Sequence, residues 1–401
     1  MKFFFKTLGC KMNWLDSARL SAGLQLAGHT EAQNEVEADI IFINSCTVTA
    51  RADRQSRQEA SRAMRIKKKV AIFGCGPKAD SEIWKKHFPN LLIFSDDTHF
   101  RSFFQIPEEA NECLASTNRM RIPIAIQNGC DNQCTFCITR IARGKTEDIP
   151  SELLLRQISR AESLGVREIV LTGIQLASWG CGNSECFPEK TKLPVLLEEI
   201  LRHTTHLRVR LSSLGPQFLR KEFFEVFSHP RICDHLHLSV QSGSSSVLKK
   251  MNRGHGREEV YFAVENARKK RPNVAITGDF ITGFPTESGQ DFLETETLVT
   301  NLAFAKLHVF PFSARTGTSA SNFAGQIPVS IRKERAAMLR KTGDKLRKTF
   351  LAQQMGQLLE VLVEGGGQGT SGNYIRLKGE NAPLGAILPI HLTPKNIAED
   401  F

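Results

Sequence analysis

The 401-residue chain contains no apolar run approaching the roughly 20 residues that a membrane-spanning helix needs. Its opening phenylalanines are interrupted by Lys6, before the about 7 to 15 apolar residues of a signal-peptide core can accumulate. The sequence therefore predicts a cytoplasmic protein. Because cytosolic thiols stay reduced, the ten cysteines point to metal or redox chemistry rather than to a disulfide framework.

Acidic residues are fewer than basic ones. The chain has 53 Lys and Arg against 42 Asp and Glu, a formal net charge of +11, which favours a polyanionic partner such as nucleic acid. Two predicted helices, Arg51–Lys69 and Arg332–Lys348, are especially rich in basic residues. For either helix alone, a solvated face is an equally good interpretation.

Three hydrophobic runs near the start each end close to a cysteine: FFFKTLG before Cys10, ADIIFINS before Cys46 and KVAIFG before Cys75. Helical segments separate the runs, and alternating β and α units imply a parallel sheet whose carboxyl ends share one edge. The three thiols should converge there, which predicts a three-thiolate metal site. The alternative is three unrelated buried thiols, the interpretation adopted for the isolated Cys113.

A second βα series follows a link at residues 97–120. Its strands are predicted at Ile122–Gly129, Glu168–Gly173, Leu207–Ser213, His235–Gln241, Val274–Gly283 and Lys306–Phe312. Helices are predicted between them, at Glu152–Ser163, Pro194–His203 and Glu258–Lys270. Six successive units suggest a partial barrel, whose active site would lie at the carboxyl ends of the strands.

The segment CDNQCTFC, which follows the first strand of this series, carries Cys130, Cys134 and Cys137. A structural zinc site needs four protein ligands, and no second cysteine pair with suitable spacing follows, so zinc is the weaker interpretation. An iron–sulfur cluster held by three thiolates leaves one iron open to a small molecule with amine and carboxylate groups.

The spacing of these cysteines, with Phe136 before the last, resembles the radical S-adenosylmethionine signature, and the flanking motifs resemble the methylthiotransferases of that superfamily. The matching motifs run along nearly the whole chain: TLGCKMN, NSCTVT, FGC, EIVLTGIQL, RLSS, HLSVQSGSSSVLKKMNRGH, DFITGFPTE and HVFPFSARTGT. Some positions depart from the family pattern, including Arg140 and Ile141 where relatives often have proline and an aromatic residue, and Phe312 where tyrosine is common.

The resemblance implies an α/β fold in three parts: an N-terminal parallel α/β domain (residues 1–115), a partial (βα)6 radical barrel (116–350) and a small TRAM-like β-barrel (351–401). It implies two 4Fe-4S clusters, S-adenosylmethionine, and an electron donor such as flavodoxin or ferredoxin. The radical cluster would be held by Cys130, Cys134 and Cys137, and the auxiliary cluster by Cys10, Cys46 and Cys75. The implied cofactor contacts are Phe136, Gly173, Ser212, Ser213, Gln241, Ser242 and Asp279.

TLGCKMN is most similar to the family branch acting on threonylcarbamoyladenosine in tRNA, and Lys11 is the main marker of that branch. In this chemistry a radical removes hydrogen from C2 of the adenine beside the anticodon, and methylthio replaces it. The alternatives are the same chemistry on isopentenyladenosine tRNA or on a ribosomal protein aspartate, and a metal-cluster RNA-binding protein without turnover.

Three further features remain. Cys233, His235 and His237 alternate along one predicted strand, but extended spacing alone is weak support for a metal site. Cys181 and Cys186 are too few thiols for such a site. The tail has β-like runs, LLEVLVEG, NYIRLKG and AILPIHL, between glycine-rich turns, and it is more acidic than basic. We therefore expect the two basic helices, rather than the tail, to supply most of the attraction for RNA.

Overall fold

The computed structural model describes residues 1–66, 68–112, 114, 119–181, 188–378 and 382–398. They form two compact units. The first combines Met1–Ser116 with Asn128–Glu147 and Ser313–Ser321. The second combines Thr117–Gln127, Asp148–Phe312 and Asn322–Phe401. The loop with Cys130, Cys134 and Cys137 thus belongs to the same unit as the N-terminal sheet.

The first unit is built on a five-stranded parallel sheet in the order β2-β1-β3-β4-β5. Its strands are β1 (Lys2–Thr7), β2 (Thr30–Glu31), β3 (Ile40–Ser45), β4 (Lys69–Gly74) and β5 (Leu92–Ile93). Its helices are α1 (Lys11–Leu26), α2 (Ala50–Arg65), α3 (Cys75–Ala79), α4 (Ser81–His87), α5 (Asp97–Phe103) and α6 (Thr139–Arg143). Both faces of the sheet are buried, which is why its strands read as continuous hydrophobic runs.

Alternate side chains of these strands enter two separate cores. Phe3 and Phe42 pack with Phe100 on one face, and Ile43 and Ile72 pack on the other. The three N-terminal strands predicted from the hydrophobic runs are therefore confirmed. The first basic helix is shorter than predicted, because it ends at Arg65 and the strand β4 already begins at Lys69; Lys67 lies outside the described residues.

The second unit contains the predicted βα series. Its strands are β6 (Arg121–Asn128), β7 (Glu147–Asp148), β8 (Glu168–Gly173), β9 (Arg208–Leu211), β10 (Ser213–Leu214), β11 (His235–Gln241), β12 (Ala275–Thr282) and β13 (Lys306–Pro311). The helices between them are α7 (Ser151–Ser163), α8 (Leu193–His203), α9 (Lys221–Phe227), α10 (Ser245–Lys250), α11 (Arg257–Lys270) and α12 (Gly289–Asn301). These strands form two sheets, in the orders β7-β6-β8-β9 and β10-β11-β12-β13.

The strands pair in parallel at β6–β8 and β8–β9 in one sheet and at β10–β11, β11–β12 and β12–β13 in the other. This confirms the predicted α/β class. The predicted boundaries agree with the structure to within a residue or two, except that the third strand is divided at Ser212 into β9 and β10. The side chains of Leu236, Leu238 and Val240 on β11 are fully buried.

The C-terminal part contains the 26-residue helix α13 (Val329–Gln354), which includes the second predicted basic helix. An antiparallel sheet follows in the order β16-β15-β14-β17. Its strands are β14 (Leu358–Gly365), β15 (Gln368–Ser371), β16 (Arg376–Lys378) and β17 (Ile387–His391). This arrangement fits the predicted small β-barrel. The strand β15 was missed, because the sequence there reads as a glycine-rich turn. No helix in the described ranges combines the length and apolarity needed to cross a membrane.

Candidate cluster sites and barrel wall

The three N-terminal cysteines lie at one edge of the first parallel sheet. Cys46 follows β3 directly, Cys75 follows β4 directly, and Cys10 precedes α1 after β1 has ended. The approach is close: a Cβ atom added to Gly9, whose φ is +97°, would lie 2.8 Å from the Cβ of Cys46 and 3.1 Å from its sulfur. Only glycine therefore fits beside Cys46 at this turn.

Asn13, on the first turn of α1, joins this group. Its Nδ2 atom donates hydrogen bonds to three acceptors that fix the amide orientation: Leu8 O at 2.8 Å, Ser45 O at 2.8 Å and Asn44 Oδ1 at 3.1 Å. Its Oδ1 atom lies 3.7 Å from the sulfurs of both Cys10 and Cys75, which donate weakly to it. The side chain of one buried asparagine therefore bridges two of the three thiols.

These thiols differ in exposure. Cys10 is exposed, whereas Cys46 and Cys75 are buried. Burial raises the pKa of the Cys75 thiol to about 11, although nearby Arg143 opposes this change, and burial also raises the pKa of Cys46. In the metal-free protein these two thiols stay protonated at neutral pH. Binding a metal would have to displace their protons.

The second group of cysteines lies in a tight loop after β6. Cys130 N donates to Gly144 O at 3.1 Å, and Cys137 N donates to Cys134 O at 3.1 Å. The backbone N–H of Thr139 points at the sulfur of Cys137, 3.4 Å away. All three cysteines are partly exposed, and Phe136 between them is half-buried.

Both groups fit an iron–sulfur cluster by the chemistry of their donors. Each offers three sulfur atoms, the soft ligands that such clusters require. With three cysteines, each group would leave one iron of a 4Fe-4S cluster without a cysteine ligand. The partly exposed loop is the more accessible of the two groups to a small-molecule chelator.

Three of the predicted cofactor contacts lie at the carboxyl ends of barrel strands, and a fourth lies at the start of a short strand. Gly173 ends β8, where an added Cβ would lie 3.1 Å from Gln127 Oε1. The hydroxyl of Ser212 is buried and has no hydrogen-bond partner in the described part of the chain. Ser213 begins β10, and Gln241 ends β11 with a φ of +73°.

The other two predicted barrel contacts already have partners within the protein. The hydroxyl of Ser242 lies 3.3 Å from Thr295 Oγ1. The two carboxylate oxygens of Asp279 face two imidazoles, His237 Nε2 at 3.0 Å and His308 Nδ1 at 3.3 Å. Burial alone would raise the pKa of Asp279, but hydrogen bonds from the two histidines outweigh burial and lower the pKa.

Asp279 ends a chain of polar side chains across β11, β12 and β13. His237 Nδ1 lies 2.7 Å from Thr277 Oγ1, and His235 Nε2 lies 3.0 Å from the same hydroxyl. A hydroxyl has one hydrogen, so Thr277 can donate to only one of the two imidazoles. The sequence analysis missed His308, although it directly faces Asp279 in the parallel register of β12 and β13.

The alternating residues Cys233, His235 and His237 do not form a common site. The sulfur of Cys233 lies 3.7 Å from Glu168 Oε2, whereas the two histidines meet at Thr277. Cys181 is buried, and Cys186 and Cys113 lie outside the described residues.

Two family models match the chain. Residues 124–299 match the radical SAM superfamily, and residues 2–95 match the family described as uncharacterized protein family UPF0004. The chain is 33% identical to the threonylcarbamoyladenosine tRNA methylthiotransferase MtaB of Aquifex aeolicus, over 95% of this chain and 97% of the relative. It is 31% identical to the protein of the same name in Rickettsia prowazekii, over 93% and 90%.

A relative with a different substrate in its name is also similar. The tRNA-2-methylthio-N(6)-dimethylallyladenosine synthase of Aquifex aeolicus is 30% identical, over 97% of this chain and 95% of that one. Among solved structures, the radical S-adenosylmethionine methyltransferase TsrM of Kitasatospora setae aligns with a TM-score of 0.60 and 12% identity, over 80% of this chain and 77% of that one. At that identity the similarity supports the fold alone.

Proposed function

Because the chain belongs to the radical S-adenosylmethionine methylthiotransferase family, we propose that its substrate is threonylcarbamoyladenosine in tRNA and that methylthio is added at C2 of this adenine, beside the anticodon. The observation that carries the proposal is the similarity of 31% and 33% to two relatives named for this substrate, over at least nine-tenths of each relative. The branch marker Lys11 in TLGCKMN supports the same choice.

Two sets of residues divide the reaction in this proposal. When bound, a 4Fe-4S cluster at Cys130, Cys134 and Cys137 would supply the electron that cleaves S-adenosylmethionine, and a second cluster at the N-terminal cysteines would supply sulfur. A second S-adenosylmethionine would supply the methyl group. The chain itself holds these groups through its cysteines. The N-terminal ligands are Cys10, Cys46 and Cys75. A flavodoxin or ferredoxin is the proposed electron donor.

The barrel residues have two proposed roles toward S-adenosylmethionine. Phe136 would offer the cofactor an aromatic contact, and Gly173 would let it approach the backbone of β8. Ser212, Ser213 and Gln241 provide hydroxyl and amide groups for its polar ends, and the buried Ser212 hydroxyl without a partner supports this role. Ser242 and Asp279 shape this wall through Thr295 and the two histidines, because their own polar atoms are already hydrogen-bonded.

We propose that the chain has three functional parts. Residues 1–115 would serve the auxiliary site, residues 116–350 the radical barrel and residues 351–401 a TRAM-like domain. The antiparallel order β16-β15-β14-β17 supports the last assignment.

Nucleoside mass spectrometry of tRNA from cells with and without the gene tests the substrate. Loss of 2-methylthio from threonylcarbamoyladenosine, with methylthio-isopentenyladenosine unchanged, is the expected result. The second candidate is the isopentenyladenosine substrate, which the 30% identical synthase favours. Loss of methylthio-isopentenyladenosine alone would assign the chain to that branch instead.

A further inference from the structure

Arg143 is a buried arginine at the end of α6, six residues beyond Cys137. Its side chain is only 3% exposed. Its Nη2 atom donates to Asn13 Oδ1 at 2.6 Å and to Asp16 Oδ2 at 2.9 Å, and its Nη1 atom donates to Asn128 Oδ1 at 3.1 Å. A single guanidinium therefore links the end of β6, the helix after the cysteine loop and the first turns of α1.

The link reaches the auxiliary cysteines through Asn13. The three bonds made by its Nδ2 atom prevent the amide from turning over, so Oδ1 must point toward Arg143, Cys10 and Cys75. In the metal-free protein, Oδ1 accepts hydrogen bonds from two thiols and from Arg143. Of these three donors Arg143 is the strongest, because its nitrogen lies 2.6 Å from the oxygen and carries a positive charge, whereas both sulfurs lie 3.7 Å away.

The charges near the auxiliary cysteines also indicate a role for Arg143. Thiolates at the buried Cys46 and Cys75 are costly unless positive charge or hydrogen-bond donors lie close to them. Arg143 supplies a positive charge at this edge of the sheet, and its Nη2 atom lies 2.9 Å from Asp16 Oδ2. Asp16 neutralises part of that positive charge. Arg143 therefore raises the electrostatic potential at the cysteines, and Asp16 lowers it.

We propose that Arg143 is a positioning residue for the auxiliary site: acting through Asn13, it fixes the geometry of Cys10 and Cys75, and with Asp16 it sets the reduction potential of the cluster held there. This inference rests on the proposed function for the presence of the cluster. It adds a physical connection within the first unit between the auxiliary cysteines and the segment that carries the radical-cluster loop, because Gly144, the residue after Arg143, accepts from the backbone of Cys130.

The test uses the full chain with Cys130, Cys134 and Cys137 all changed to Ala, so that bound iron reports the auxiliary site alone. Into this background we would introduce Arg143→Gln, Arg143→Lys and Asp16→Asn. The readouts are iron per chain after anaerobic reconstitution and the midpoint potential from a dithionite titration followed by electron paramagnetic resonance. Neither readout requires tRNA, so the result does not depend on which nucleoside is the substrate.

Removing the cation should stabilise the oxidised cluster and leave Asn13 Oδ1 without its strongest donor. We expect Arg143→Gln to lose at least half of the auxiliary iron and to lower the midpoint potential of what remains. Arg143→Lys should retain more iron than Arg143→Gln but less than the unchanged residue. Lysine keeps the positive charge but lacks the planar guanidinium that bonds to Asn13 and Asp16 at the same time. Asp16→Asn should keep the iron and shift the potential upward.

Arg62→Gln provides the matched control. Arg62 also contacts two carboxylates, Glu35 and Glu59, in the same unit, but its side chain is 46% exposed. It should leave both iron content and potential unchanged. Full iron content and an unshifted potential in Arg143→Gln would overturn the proposal. If that variant does not fold, an unshifted potential in Asp16→Asn would overturn it equally, since that substitution keeps every donor to Asn13.

Discussion

The guanidinium of Arg210 donates to Glu168 Oε1 across 2.7 Å, and both side chains are almost completely buried. The same guanidinium donates to the backbone oxygens of Gly372 and Ser371, at 3.0 Å and 2.9 Å. Arg208 makes an equivalent set of bonds to Glu168 and to backbone oxygens beyond β13. Two arginines of β9 thus pair with one carboxylate and also hold the antiparallel C-terminal sheet within the second unit.

This cluster predicts a specific acid sensitivity. Burial alone would raise the pKa of Glu168, but Arg210 and Arg208 outweigh burial and hold it at about 2, below the ordinary value of 4.5. The carboxylate therefore contributes stability that is complete above about pH 4.5 and is lost as the pH falls toward 2. We expect Glu168→Gln to cost about 3 to 5 kcal/mol near neutral pH, because it leaves two buried arginines uncompensated.

Urea unfolding of the cluster-free protein from pH 7 down to pH 3 measures both effects. The free energy of unfolding of Glu168→Gln should fall less steeply below pH 4.5 than that of the unchanged chain. Glu225→Gln is the control, since Glu225 forms only an exposed pair with Lys221. Parallel pH curves for Glu168→Gln and the unchanged chain would contradict the assignment of this acid sensitivity to Glu168.

A second prediction concerns the turn into the radical-cluster loop. Gly129 has a φ of +68°, and an added Cβ would lie 1.7 Å from the backbone oxygen of Lys145. Because the clashing oxygen belongs to the backbone and cannot rotate away as a side chain could, Gly129→Ala must displace the loop that holds Cys130. We expect the variant to lose iron from this site and, with it, reductive cleavage of S-adenosylmethionine, measured as 5′-deoxyadenosine in an anaerobic reaction.

Gly28→Ala is the control, because it has the cost of a left-handed backbone without a steric clash. Gly28 has a φ of +82°, but an added Cβ there meets no atom within 4 Å. This variant should lose about 1 kcal/mol of stability and keep its iron. Equal iron content in the two variants would mean that the approach of Lys145 does not constrain the cysteine loop.

A third prediction tests which residues of α2 bind tRNA phosphates. Arg51, Arg54 and Arg65 are exposed and form no ion pair with any described residue, whereas Arg57 and Arg62 are paired with carboxylates. We expect the first three to bind the phosphates. For every arginine–phosphate interaction that is removed, the slope of log affinity against log salt should become shallower by roughly 0.7 to 0.9.

The measurement is tRNA binding over a series of salt concentrations for the triple Gln variant of the unpaired arginines. The double variant Arg57→Gln with Arg62→Gln is its control and should change the slope less. The exposed lysines of α13 can be tested in the same way: Lys333, Lys341, Lys345 and Lys348. An unchanged slope in the triple variant would show that these arginines of α2 are exposed to solvent and do not bind tRNA phosphates.

The sequence predicted those parts of the site that depend on strand ends. Hydrophobic runs located β1, β3 and β4, and the parallel topology then placed the cysteines at one edge without knowledge of any contact. The role of Arg143 could not be predicted in this way, because its partners Asn13 and Asp16 lie far away in the chain and no periodicity connects them. The strand β15 escaped prediction because its pairing with β14, rather than local propensity, makes Gln368–Ser371 extended.

The last prediction concerns the division of labour between the two cysteine sets. The loop cysteines are close in sequence, whereas Cys10, Cys46 and Cys75 depend on the folded sheet, so the two sites should be separable. Changing the three sheet-edge cysteines to Ala should leave about half of the iron and retain 5′-deoxyadenosine formation, while methylthiolated tRNA disappears. Cys134→Ala should abolish both 5′-deoxyadenosine and methylthiolated tRNA, because removal of one of three thiolates destabilises the site that starts the reaction.

Both products can be measured in one anaerobic reaction with dithionite. Methylthiolated tRNA from the triple variant would show that the sheet-edge cysteines do not carry the transferred sulfur.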